Sequence, residues 1–281
     1  MRRPPMTLSL PPFTRTISIL IGINTGVFLL LLALSATGQS AVAGAIVGKL
    51  GLTPRAVVHG HIYQLLTYGF LHAGFFHLFF NMLMLWMFGS MLEQHFGSRQ
   101  FWDFYLFGVF GAGLTSVVLA YSLAGVVHTW PDTLTIGASG GIYAVLMAAA
   151  MLYGDQEVFL FPFPFTIRLK YLVAILALIA LVSSFGGGGN VAYVAHLGGL
   201  LFGYLYLKFV PRRGLTFAFS ESYYGIRNFY HRWRRERAKK RFQVYMRQHE
   251  QDPKQYFDEY GNFKPPDEKD KKDRGRGGWV N

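Results

Sequence analysis

The stretch Gly137-Ala138-Ser139-Gly140-Gly141-Ile142-Tyr143-Ala144-Val145-Leu146-Met147-Ala148-Ala149-Ala150-Met151-Leu152-Tyr153 is apolar or small at nearly every position. That composition suits a helix in lipid, yet Ser139–Tyr153 is about 15 residues, roughly 22 Å at 1.5 Å per residue. A hydrocarbon layer of about 30 Å takes about 20 residues. If the far end reaches the interface near Asp155 and Glu157, the near end stops inside the membrane, with Ser139 at its buried start. Segment 123–136 must then dip to meet it. Non-helical backbone at that depth is tolerated only where protein encloses it or it borders a water-filled cavity.

Outward from this short helix, the same length criterion predicts spans at about 16–36, 76–94 and 101–122 on its N-terminal side. On the other side it predicts spans at about 168–185, ending at Gly186-Gly187-Gly188-Gly189, and 191–210. Between the first two, 37–75 is broken by glycine, Thr53-Pro54 and several histidines. It reads as short helices lying partly in the interface. The expectation is an all-α polytopic membrane protein with six transmembrane helices. The apolar run after Arg2 and Arg3 is about 20 residues, longer than the roughly 7–15 of a cleavable signal, so it reads as an uncleaved first span.

Charge divides the chain. Residues 1–210 hold nine Lys or Arg and five acids, and 211–281 hold the other 18 and 10, so +4 and +8 make the net +12. The expected division is a cytoplasmic N-terminal segment 1–15, a membrane domain 16–210, a basic amphipathic cytoplasmic segment 211–250 and a disordered tail 251–281. Arg2, Arg3, Arg15, Arg99, Arg168, Lys170, Lys208, Arg212 and Arg213 fall on alternate connections, which predicts both termini on the cytoplasmic side. No cysteine is present, which excludes disulfides, thiolate metal sites and a cysteine nucleophile.

Three groups of residues could carry chemistry. Ser139, flanked by Gly137 and Gly140 at a helix start, has space around its hydroxyl and unpaired backbone N–H groups nearby that could hold an oxyanion. Taken alone, a plain serine N-cap in a small-residue packing motif is the stronger reading, because G-x-S-G is short and common. His196 shares a helix face with Ala192, Gly199 and Gly203, so a close-packed neighbour would meet the imidazole directly. Tyr143, one turn after Ser139, could pack against that ring, and a structural histidine bonded to a carbonyl is the competing reading. His77 and Asn81 lie one turn apart on an apolar helix, either as donors to a developing negative oxygen or as interhelical hydrogen-bonding glue. None of the five acids of 1–210 falls mid-span, so a nucleophilic Ser139 would rely on His196 alone. His59, His61 and His72 read as interfacial. With no H-E-x-x-H and no clustered carboxylates, no metal site is expected.

Taken in order, Leu71-His72-Ala73-Gly74-Phe75-Phe76-His77-Leu78-Phe79-Phe80-Asn81, then Gly137-Ala138-Ser139-Gly140, then Ala195-His196-Leu197-Gly198-Gly199, resemble the rhomboid family of intramembrane serine proteases. Glu93 followed by Gly97, Ser98 and Phe101 also looks like that family's turn between its second and third spans. The likeness covers about 55–210. It implies a Ser139–His196 dyad, an oxyanion site of His77, Asn81 and the Ser139 N–H, and Tyr143 stacked on His196. It also implies that Gly199 and Gly203 allow close helix packing, that 186–195 with the fifth span forms a lateral gate, and that 123–136 forms a cap. No cofactor is implied. The family's Trp-Arg pair in the first external loop is replaced by Tyr63-Gln64.

The function so implied is an intramembrane serine endopeptidase acting on transmembrane segments of other proteins. The competing classes are a non-catalytic rhomboid-like binder of such segments and a small transporter. The basic, aromatic stretch 223–247 suits anionic lipid headgroups rather than nucleic acid. The compact form, without a transit peptide, favours a bacterial inner membrane.

Overall fold

The computed structural model describes residues 11–127, 129–159, 166–185, 192–210 and 215–248. Residues 186–191 of the expected gate segment 186–195, and the expected tail 251–281, lie outside these residues. The chain divides into two units, one through Ala218 and one from Phe219.

The first unit is almost wholly helical. Among the described residues, three helices are long and apolar enough to cross a bilayer: Arg15–Ala36 (α1), Phe75–Phe96 and Ser98–Ser122 (α7). The expected spans 16–36, 76–94 and 101–122 fall within them. The second of the three is composite. Phe75–Met84 (α5) passes through a π-helical turn, Leu85–Gly89, into Ser90–Phe96 (α6). Between α1 and α5 the chain forms Ser40–Leu50 (α2), Pro54–Val58 (α3), Gln64–Thr67 (α4) and a 3-10 turn, Tyr68–Phe70. Ala124–Val127 (α8) follows α7. The helix Ser139–Tyr153 (α9) is 15 residues long. Leu169–Phe185 (α10) and Ala192–Phe209 (α11) follow.

A small antiparallel hairpin joins α9 to α10, pairing Glu157–Phe159 (β1) with Thr166–Arg168 (β2), Val158 opposite Ile167. Sequence reading did not foresee it, because three-residue strands leave no measurable alternation.

The core sits around α9, whose Gly140, Gly141, Ile142, Ala144, Val145, Leu146, Ala148 and Ala149 are all buried. Its neighbours α7 and α11 come close because their contact positions lack side chains. A Cβ on Gly203 would lie 2.7 Å from the Ala144 carbonyl oxygen, and one on Gly199 would fall on the carbonyl of Gly140. On α7, a Cβ at Gly108 would lie 2.5 Å from that of Ala144. Such close backbone approach supplies packing in lipid, where no hydrophobic force drives helices together. The outer helices instead expose apolar side chains, among them Leu29, Leu30 and Leu32 of α1 and Leu178, Ile179 and Val182 of α10.

One carboxylate holds the start of α1. Glu93, buried in the middle of α6, accepts from the backbone N–H groups of Thr16 (2.9 Å) and Ile17 (3.1 Å) and from the hydroxyls of Thr14 and Ser98. A negative group at a helix N-terminus meets the positive end of the macrodipole and its unpaired N–H groups.

The loop between α2 and α3 is anchored on two sides. Buried Gln64 accepts from the Thr53 N–H and donates to the Lys49 carbonyl, each at 3.0 Å. Thr67 donates to the Leu50 carbonyl at 2.6 Å. Leu52 and Thr135 then exchange backbone hydrogen bonds of 2.9 and 2.8 Å. Arg55 forks onto Asp132 at 2.5 and 2.7 Å and its N–H donates to the Pro131 carbonyl. Gln64 thus anchors the loop through its side-chain amide.

The second unit contains most of the helix Leu215–Gln248 (α12). Its described side chains are exposed, and the Arg237 guanidinium lies 4.0 Å from the Trp233 ring centroid.

Candidate active site

Gly137 sets the entry to α9. Its φ of +130° is a conformation that residues with a Cβ rarely adopt, and its N–H donates to the Tyr68 carbonyl at 3.0 Å. The Tyr68 hydroxyl in turn donates to the Val109 carbonyl at 2.8 Å, so a fully buried ring ties this turn to α7. Ser139 follows as the first residue of α9, with the early N–H groups of the helix around it.

Ser139 Oγ lies 2.8 Å from His196 Nε2, across 57 positions of sequence. With the imidazole neutral and its proton on Nδ1, the serine hydroxyl donates to Nε2. Tyr143 stacks on the His196 ring at 4.1 Å and 5°, and Tyr193 meets the same ring edge-on at 6.0 Å. Among the described residues no side chain bonds to His196 Nδ1, which is buried. The imidazole is therefore oriented by ring stacking, with no carboxylate behind it.

His77 and Asn81 approach from α5. A Cβ on Gly137 would lie 2.8 Å from His77 Nε2 and 3.7 Å from Ser139 Oγ, so both atoms face the bare α-carbon of this glycine. His77 Nδ1 accepts from the Ala73 N–H at 3.4 Å, which leaves the ring proton on Nε2, the nitrogen facing Ser139. Asn81 is buried and its Nδ2 makes no hydrogen bond to protein. Ser139, His196, Tyr143, His77, Gly137 and Gly140 are thus gathered into one place. Gly140 packs against Ala112 and the Tyr68 hydroxyl.

His72, expected at the membrane interface, packs beside this group. It is 6% exposed and meets His77 edge-on at 5.0 Å, with both ring nitrogens buried and unpaired by protein. Burial, and then the neighbouring His77, holds its pKa down to about 4, so the ring is neutral at ordinary pH. The only signal in the sequence was its place five residues before His77. Among the described residues, no group of three His, Cys, Asp or Glu side chains is placed to hold a metal ion.

These features define an integral, multi-pass membrane protein built on a glycine-packed helical core, with a serine and a histidine in contact at the head of its short helix. A family model described as the Rhomboid domain matches residues 59–213, and the chain belongs to the rhomboid family. It is 30% identical over 211 residues to Rhomboid protein 1, mitochondrial, of Saccharomyces cerevisiae, covering 72% of this chain and 57% of that one. It is 32% identical over 154 residues to Rhomboid protease GluP of Bacillus subtilis (53% of this chain, 26% of that one). Against Rhomboid protease AarA of Providencia stuartii the figures are 33% over 144 residues, 48% and 51%. The chain thus spans between 26% and 57% of the length of these relatives.

Proposed function

We propose that this chain is an intramembrane serine endopeptidase that cleaves transmembrane segments of other membrane proteins. The observation that carries the reading is the 2.8 Å contact between Ser139 Oγ and His196 Nε2, in a family that includes named proteases. In the reaction, Ser139 Oγ attacks the scissile carbonyl carbon while His196 Nε2 takes its proton. The His77 Nε2–H, the Asn81 amide and the Ser139 N–H hold the oxygen that becomes negative. His196 returns the proton to the leaving amine, and water then attacks the acyl-enzyme. Tyr143, stacked on the ring, keeps Nε2 aimed at the serine through both proton transfers.

Six spans, with both termini in the cytoplasm, give this site its setting. The short α9 then begins below the outer surface, under segment 123–136 as cap. The bacterial inner membrane accords with the Bacillus and Providencia relatives, and one relative is mitochondrial by name. The basic helix α12 lies against anionic headgroups, each cation contributing on the order of 1 kcal/mol, and nucleic acid is not its partner.

The test is labelling by a fluorophosphonate. The purified chain is expected to label, and Ser139→Ala to abolish labelling. A folded wild type that neither labels nor cleaves any single-span reporter would favour a non-catalytic binder.

A further inference from the structure

Both ring nitrogens of His72 and, on the helix of His77, Asn81 Nδ2 have no protein partner among the described residues, and between His72 and the dyad lies the His77 ring, whose Nε2 faces the same bare Gly137 α-carbon as Ser139 Oγ. A residue filling space at position 72 would be apolar, as its neighbour Leu71 is at 1% exposed. A buried imidazole whose nitrogens meet no protein group needs solvent as its partner. Ala73 beside it is exposed, so His72 lies next to the surface. Buried waters take two to four polar partners, and a neutral imidazole offers one donor and one acceptor.

We propose that His72 is a positioning residue for the hydrolytic half of the reaction, holding the solvent from which the acyl-enzyme's attacking water is drawn; this rests on the peptidase reading above. In that step the water oxygen bonds to the acyl carbon, and the bond from that carbon to Ser139 Oγ breaks. One water proton passes to His196 Nε2 and from there to Ser139 Oγ, and the substrate's N-terminal fragment leaves as a carboxylic acid. Formation of the acyl-enzyme needs no water, so His72 acts on the second half alone.

The experiment uses the full chain in liposomes, as wild type, His72→Phe and His72→Gln. Phenylalanine keeps the ring edge against His77 and removes both nitrogens, whereas glutamine keeps a donor and an acceptor. His72→Phe is expected to label with a fluorophosphonate within about twofold of the wild-type rate, while turnover of a single-span reporter falls roughly tenfold. Rapid quenching is expected to show a burst of the C-terminal fragment, with the N-terminal fragment esterified to Ser139. His72→Gln is expected to recover most of the turnover. Equal losses of labelling and turnover in His72→Phe, or no loss of either, would overturn the assignment. If the phenylalanine variant does not fold, His72→Leu carries the same comparison. A wild type that does not label overturns the peptidase reading itself, which separates the two failures.

Discussion

At the scale of single residues, the site depends on how an imidazole is held without a carboxylate. His196 Nδ1 is buried and unpaired by protein, and the ring is positioned by Tyr143 at 4.1 Å. In the proposed reaction His196 moves the proton in every step, whereas Asn81 is one of three donors to the oxyanion. His196→Ala is therefore expected to abolish reporter cleavage. Asn81→Ala is expected to lower kcat by roughly 100-fold or somewhat more, the usual cost of one oxyanion donor, leaving measurable activity. Equal losses in the two variants, in side-by-side kinetics, would refute this division of roles. Ser139, His196, His77 and Asn81 stand out in the sequence because they are polar side chains in apolar helices. His72 does not, since nothing in a loop sequence says whether an imidazole faces water or a neighbouring ring.

At the scale of elements, two tethers place the helices that carry these residues. Glu93 joins the start of α1 to the α6–α7 turn through four residues. Glu93→Ala leaves two helix N–H groups and two hydroxyls unpaired. It is expected to cost about 3 kcal/mol, seen as a lowered thermal midpoint in detergent. A midpoint equal to wild type would show that the carboxylate holds nothing. The second tether lies in the loops. The Arg55 hydrogen bond, and then its charge, depresses the Asp132 pKa. A carboxylate depressed on folding stabilises the folded loop above its unfolded pKa, about 3.9, and that contribution fades as pH falls through the lower folded value. Hydrogen exchange at 131–135 is therefore expected to quicken, relative to Asp132→Asn, only as pH drops below about 4. An unchanged ratio across that range would contradict the tether. Sequence length and hydropathy located the helices well, and α9 begins and ends at the residues expected. The hairpin β1–β2 and the π-helical turn Leu85–Gly89 escaped. One is too short to show a period, and the other changes the helical hydrogen-bond register without changing composition.

At the scale of the whole molecule, charge is segregated: +4 across 210 residues of apolar helix and +8 across the following 71. That asymmetry, with three helices long enough to span lipid, makes a membrane protein with an exposed basic helix. The proposed chemistry depends on the short α9, because its first residue meets α11. The most direct measurement is cleavage of a single-span reporter by the full chain in sealed liposomes, beside Ser139→Ala. Cleavage within or at the edge of the reporter's membrane segment by wild type alone is the predicted result. Equal cleavage by both proteins, or cleavage that persists without Ser139, would contradict the account.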